Sequence, residues 1–256
     1  MPLLADLDLN ALLPFIAVGF GAQLVDGALG MAFGVICNTL LVAVIGLPPA
    51  RASANVHIVE TFTTAASGVS HIVHRNVDWK LFRRLVIPGV IGAALGATLL
   101  SNIDASVAKP FVMLYLACIG LYLLFRAVKG QIEPRKPRVI APLGLVGGFL
   151  DAAGGGGWGP VVTSNLLIQG ATPRHTIGTV NTAEFFLTAT ASVTFFIALG
   201  WSAFTLHTLG ILIGGIIAAP LGGILAKRVP TRGLMALVGV LLTLTSAWSV
   251  YAALAK

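Results

Sequence analysis

Asp26, Glu60, Asp151 and Glu184 stand inside long apolar stretches, whereas the other five acidic residues, Asp6, Asp8, Asp78, Asp104 and Glu133, lie in polar breaks or near the N-terminus. A carboxylate in hydrocarbon must be paired, protonated or turned toward water, so its default reading is functional. The four form two pairs, at intervals of 125 and 124 residues. With Asp26 set on Asp151, Gly30, Phe33 and Gly34 fall on Gly155, Trp158 and Gly159 in register. One deletion later Pro49, Val56, Glu60 and Phe62 fall on Pro173, Val180, Glu184 and Phe186, and further on Gly89 and Gly96 fall on Gly215 and Gly222. The chain is two copies of one unit.

Each copy repeats two polar features. The first is a Gly-rich break, GAQLVDGALGMAFG at 21–34 and GGFLDAAGGGGWGP at 147–160. Glycine lets a helix unwind and lets backbone approach a ligand, and unwound backbone survives at membrane depth where protein or a watery cavity satisfies it. The N–H groups opening a half-helix, with the helix dipole, attract an oxyanion without a buried Lys or Arg. Gly30, Gly34, Gly156, Gly157 and Trp158 are therefore candidate substrate-binding residues, and Asp26 and Asp151 read as caps on the same N–H groups. The second feature is ASANVHIVE at 52–60 and TIGTVNTAE at 176–184, in which Asn55 corresponds to Thr179 and His57 to Asn181. On helices these lie about one turn from the shared Glu. Asn55, His57, Thr179 and Asn181 then offer hydrogen bonds to a tetrahedral anion, and Glu60, Glu184 and His57 are candidates for proton coupling or gating. Gln23, Asn38 and Asn165 are weaker binding candidates, and His71 and His74 belong near the inward helix end.

These residues need a membrane around them. At 256 residues, 57% hydrophobic and 10% charged, the chain is not a water-soluble globule. Apolar segments at about 11–30, 31–46, 52–73, 84–101, 107–125, 139–153, 158–170, 176–200, 204–226 and 233–253 predict an all-α polytopic membrane protein. Segments 31–46, 139–153 and 158–170 are short for a hydrocarbon core of about 30 Å and read as half-helices or re-entrant hairpins. With the N-terminus outside, thirteen of the sixteen Lys and Arg residues fall in inward loops, leaving Arg51, Lys109 and Lys256 outside. Both termini are expected outside, and the net charge of +7 is topology, not a nucleic-acid footprint. The N-terminal MPLLADLDLN has no basic leader and is expected to be retained.

The reading divides the chain into a first transmembrane repeat at 11–128, a cytoplasmic linker at 129–138 and a second repeat at 139–256. Five segments per copy, or three crossings plus a hairpin, is an odd number of crossings. Consecutive copies then have inverted topology, an architecture that places substrate near the midplane of secondary transporters at interrupted helices. Cys37 and Cys118 lie in apolar runs and read as small buried hydrophobes. Motifs GxxxxGK[ST], HExxH, CxxC and GxSxG are missing, so no cofactor, metal site or enzyme activity is expected.

The duplicated pattern of a Gly-rich broken segment, a short apolar segment, a Pro and a small-polar helix is seen in GALGMAFGVICNTLLVAVIGLPPARASANVH and GGGGWGPVVTSNLLIQGATPRHTIGTVN. It resembles the sulfite exporter TauE/SafE family of membrane permeases, over nearly the whole chain from about residue 13 to 253. The resemblance implies secondary transport of a small sulfur-containing anion, sulfite or an organosulfonate, usually in the export direction, across the cell inner membrane. The expected mechanism is alternating access by two rocking copies, with proton coupling through Glu60, Glu184 or His57. An anion-selective channel and a non-transporting membrane subunit are the alternatives that the residues leave open.

Overall fold

The computed structural model describes residues 9–128 and 136–225 and scattered helical positions between 233 and 251. Residues 1–8, the expected linker at 129–135, residues 226–232 and residues 252–256 lie outside the described residues. Among the described residues all regular structure is helical. The helices are α1 (Leu9–Leu29), α2 (Phe33–Thr39), α3 (Pro49–Val73), α4 (Trp79–Asn102), α5 (Ala105–Val128), α6 (Ala141–Gly154), α7 (Ser164–Ile168), α8 (Pro173–Leu199) and α9 (Leu206–Leu225).

Local chemistry sets these boundaries. Pro49 and Pro173 open α3 and α8, where the missing N–H has no partner to lose and the fixed φ suits the first turn. Asp78 caps α4 by accepting from the N–H groups of Lys80 and Leu81 at 2.9 and 3.2 Å. The chain breaks twice in the same manner. After α1, Gly30 and Ala32 take φ of 66° and 101°; after α6, Gly155 and Gly156 take 72° and 130°. Each break leads into a short helix carrying a π turn, Leu40–Val44 after α2 and Gly159–Thr163 before α7. The 14 residues of α6 rise only about 21 Å, less than a hydrocarbon core.

Packing between the two halves is reciprocal. Helix α1 packs chiefly on α9, α4 on α6, and α3 on α8, with further contact of α4 to α8 and α3 to α9. Glycine allows the close approaches. A Cβ on Gly92 or Gly96 of α4 would collide with the Leu145 or Phe149 carbonyl of α6, and one on Gly214 of α9 with the Ile16 carbonyl of α1. The other face of α4 carries Ile87, Ile91, Leu95 and Leu99, all exposed, as a lipid-facing stripe should be. Trp79–Asn102, Pro110–Val128 and Arg174–Leu199 are long and apolar enough to cross a membrane. Helix α3 has 25 residues but a buried polar stripe, Ser53, His57, Glu60 and Thr64, with Asn55 buried on another face.

Candidate functional site: carboxylates between two broken helices

The last turn of α6 delivers Asp151 to the second break with 1% of its surface exposed. Its Oδ1 accepts from the N–H groups of Gly157 and Trp158, both at 2.8 Å, and its Oδ2 lies 3.2 Å from His57 Nε2 on α3. Asp26 stands in the matching place on α1 and accepts the N–H of Phe33, the residue aligned with Trp158. Glu60 accepts the N–H of Gly34 with one oxygen, while its Oε2 is buried without a partner. The two breaks touch. A Cβ on Gly34 would come within 2.8 Å of Glu60 Oε1 and 2.9 Å of Gly156 Cα, so only glycine fits between the breaks. Glu184 on α8 lies in electrostatic reach of Asp26, Glu60 and Asp151.

No Lys or Arg is buried among the described residues. Each ionised Asp at a bilayer midplane costs about 2.5–3.5 kcal/mol on insertion scales, so the four carboxylates need local compensation. The two aspartates obtain it from N–H groups at the breaks, Glu60 obtains half of it from Gly34, and no hydrogen bond reaches Glu184 from the described residues. His57 is anchored by Nδ1, 2.7 Å from the Ser53 carbonyl, and the Ser53 hydroxyl donates to the Ala152 carbonyl at 2.7 Å. These contacts tie α3 to the end of α6.

The remaining sequence candidates divide. Asn55 accepts the Thr205 N–H at 2.9 Å and the Thr208 hydroxyl, and donates to the Ala203 carbonyl at 2.9 Å, so its amide is spent on the connection from α8 to α9. Thr179 does the reciprocal task, its hydroxyl accepting the Asp78 N–H at 2.8 Å in the connection from α3 to α4. Asn181 accepts from the Ser67 hydroxyl at 2.8 Å across the α3–α8 contact. Trp158 is fully buried and donates its ring N–H to the Val180 carbonyl at 3.1 Å. Asn165 bonds the Val161 carbonyl one turn back at 2.7 Å, and Gln23 is buried with Oε1 unpartnered. Gly30 packs on Ile177, and Gly157 on the Tyr115 hydroxyl. Cys37 is buried, but Cys118 is exposed, since its face of α5 turns outward. His71 is half-buried and His74 exposed at the end of α3.

Sequence reasoning passed over Ser53 and Tyr115. Ser53 stands one turn before His57 in ASANVH, a spacing that predicts contact on a helix. Tyr115 sits in a uniformly apolar helix and reaches the second break only through the fold. At the end of the bundle bearing the connection from α3 to α4, an open pocket of ≈ 710 Å³ is lined in part by Lys80, Arg84, Lys136 and His175. It is a basic mouth next to the loop that Thr179 holds.

The profile of the sulfite exporter TauE/SafE family matches residues 15–249. The chain belongs to the sulfite exporter TauE/SafE family. Among curated relatives, a probable membrane transporter protein YtnM of Bacillus subtilis (strain 168) is 44% identical over 248 residues, covering 93% of this chain and 82% of the relative. A probable membrane transporter protein of Haemophilus influenzae (strain ATCC 51907 / DSM 11121 / KW20 / Rd) is 28% identical over 163 residues, 62% of this chain and 63% of that one. No solved structure matches. This TauE/SafE member is thus a multi-pass membrane transporter, and its apolar helices lie in a lipid bilayer.

Proposed function

We propose that this protein exports a sulfur-containing anion, sulfite or an organosulfonate, from the cell across the inner membrane by alternating access. Two inverted repeats, 11–128 and 139–256, rock about the α3–α8 contact, with both termini outside. The observation that carries the reading is the meeting of two broken helices at a buried cluster free of Lys and Arg, where the anion donors are backbone N–H groups, those of Gly157 and Trp158 being held by Asp151. The reciprocal pairing of α1 with α9 and α4 with α6 supports the inverted relation, as do the reciprocal ties made by Asn55 and Thr179.

The anion sits against backbone near Gly30–Gly34 and Gly154–Trp158, with His57 and Asn181 beside it. Four carboxylates repel an anion, so positive charge must travel with it. Protons carried by Glu60, Glu184 or His57 supply that charge. The basic mouth concentrates anions at the cytoplasmic end.

Reconstituted vesicles loaded with sulfite, thiosulfate, sulfate or small sulfonates, with and without a pH gradient, test the proposal. Saturable movement of a sulfur anion, stimulated by the gradient, is expected. A folded protein that moves none of them ends the sulfur-anion reading, and single-channel currents without saturation would replace the carrier by a channel.

A further inference from the structure

The contact between His57 and Asp151 holds a proton. His57 Nδ1 faces the Ser53 carbonyl at 2.7 Å, and a carbonyl only accepts, so Nδ1 carries a hydrogen. Nε2 then meets Asp151 Oδ2 at 3.2 Å, which sets a nitrogen lone pair against a carboxylate oxygen unless one proton lies between them. The other oxygen of Asp151 occupies the N–H groups of Gly157 and Trp158. Asp151 is therefore a tethered anion seated on the donors that a free oxyanion needs.

A further titratable group stands beside the dyad. Glu60 places a carboxyl oxygen within 4.8 Å of a ring nitrogen of His57 and a carboxylate oxygen of Asp151, and its buried Oε2 has no partner. Tyr115 from α5 and Glu184 from α8 also reach Asp151 electrostatically, Asp26 from α1 and Cys37 from α2 lie around Glu60, and the Phe195 ring of α8 packs 5.9 Å from the His57 ring. The dyad has no copy in the other half, because the residue aligned with His57 is Asn181, which does not titrate and is bonded to Ser67.

We propose that the His57–Asp151 dyad is the coupling-proton site of this transporter, and that protonation of Asp151 unseats it from the Gly157 and Trp158 N–H groups so that the transported anion takes its place. The Nε2–H bond of His57 breaks as an O–H bond forms at Asp151 Oδ2. Glu60 passes a proton from the aqueous side to the vacated Nε2. His57 and Asp151 are then both protonated, and the added proton balances the charge of a bound monoanion. One anion and one proton cross in the same direction. The inference rests on the proposed anion transport and names its coupling step.

Methanesulfonate is the probe, because its charge stays constant with pH whereas sulfite itself titrates. Its binding to purified protein is measured across the neutral range for wild type, Asp151→Ala and Asp151→Ala combined with His57→Asn. Wild-type affinity is expected to rise about tenfold for each unit the pH falls, the slope of one linked proton. The double variant, which lacks both partners of the dyad, is expected to bind with no pH dependence, and Asp151→Ala is expected to be stabilised thermally by acetate, which refills the vacated N–H pair, while wild type is not. A folded double variant that keeps the wild-type slope, or a folded Asp151→Ala that gains nothing from acetate, overturns the proposal. The acetate result does not depend on the substrate, so a wrong sulfur-anion assignment is distinguishable from a wrong dyad. Where the variants fail to fold, infrared difference spectra of wild type decide: a new protonated-carboxyl band on adding the anion is expected, and its absence defeats the dyad.

Discussion

Gly34 and Gly156 show how single positions hold the centre open to chemistry. Gly156 has φ of 130°, and a Cβ there would collide with the Gly34 backbone. Strain and collision act together, so Gly156→Ala is expected to lower stability by about 1–3 kcal/mol, the range for a forced backbone conformation, with overlap adding to it. Gly46 is the contrast: its φ is 80° but nothing lies within 4 Å of its Cβ, so Gly46→Ala carries the conformational part alone. Thermal melts in detergent compare the two. Equal losses would mean that the breaks are not in contact as described. The Asp151 and Asp26 carboxylates bond N–H groups at equivalent places, yet only Asp151 has a histidine on its other oxygen.

Helices α4 and α9 act as the outer clamps on α6 and α1. Their glycines face carbonyls at backbone contact, and their far faces meet lipid. Gly92→Leu must push α4 away from α6 and is expected to cost at least the 1–3 kcal/mol or so typical of overpacking, while Ile91→Leu one residue away stays near neutral. Melting temperature and the yield of monodisperse protein report both. The α8–α9 connection hangs on Asn55. Asn55→Ala strands the buried Ala203 carbonyl, a loss of about 1–3 kcal/mol, and leaves the Thr205 N–H only the longer 3.4 Å contact to the Thr208 hydroxyl. Proteolysis of the 200–206 connection should then quicken in folded protein; an unchanged cleavage rate would mean that the connection is held elsewhere.

The whole molecule presents an open pocket lined by Lys80, Arg84, Lys136 and His175 at one end and a buried cluster of carboxylates at its centre. Lys80→Glu with Arg84→Glu is expected to lower initial anion flux several-fold at low salt, with the difference shrinking as ionic strength rises and screening shortens to about 10 Å. A salt-independent loss would point to misfolding of α4 instead of lost attraction.

Much of this protein was readable before any coordinates. Apolar segment lengths place the helices to within a few residues because burial in hydrocarbon demands long apolar runs and tolerates few charges. The broken helices were visible as glycine runs, since few other residues accept left-handed backbone or such close contact. Gly92 and Gly96, one turn apart in a single segment, mark the face of α4 that meets α6. Tertiary structure alone decided which polar groups meet. Asn55 and His57 are neighbours in one motif, yet one secures a loop and the other joins Asp151, because two residues apart on a helix means faces about 200° apart. Tyr115 reaches Gly157 from an apolar helix that carries no local sign of it, and His57 meets a carboxylate 94 residues away. Periodicity records how each segment lies against lipid or protein; the partners of a buried proton depend on contacts between segments, which no local pattern encodes.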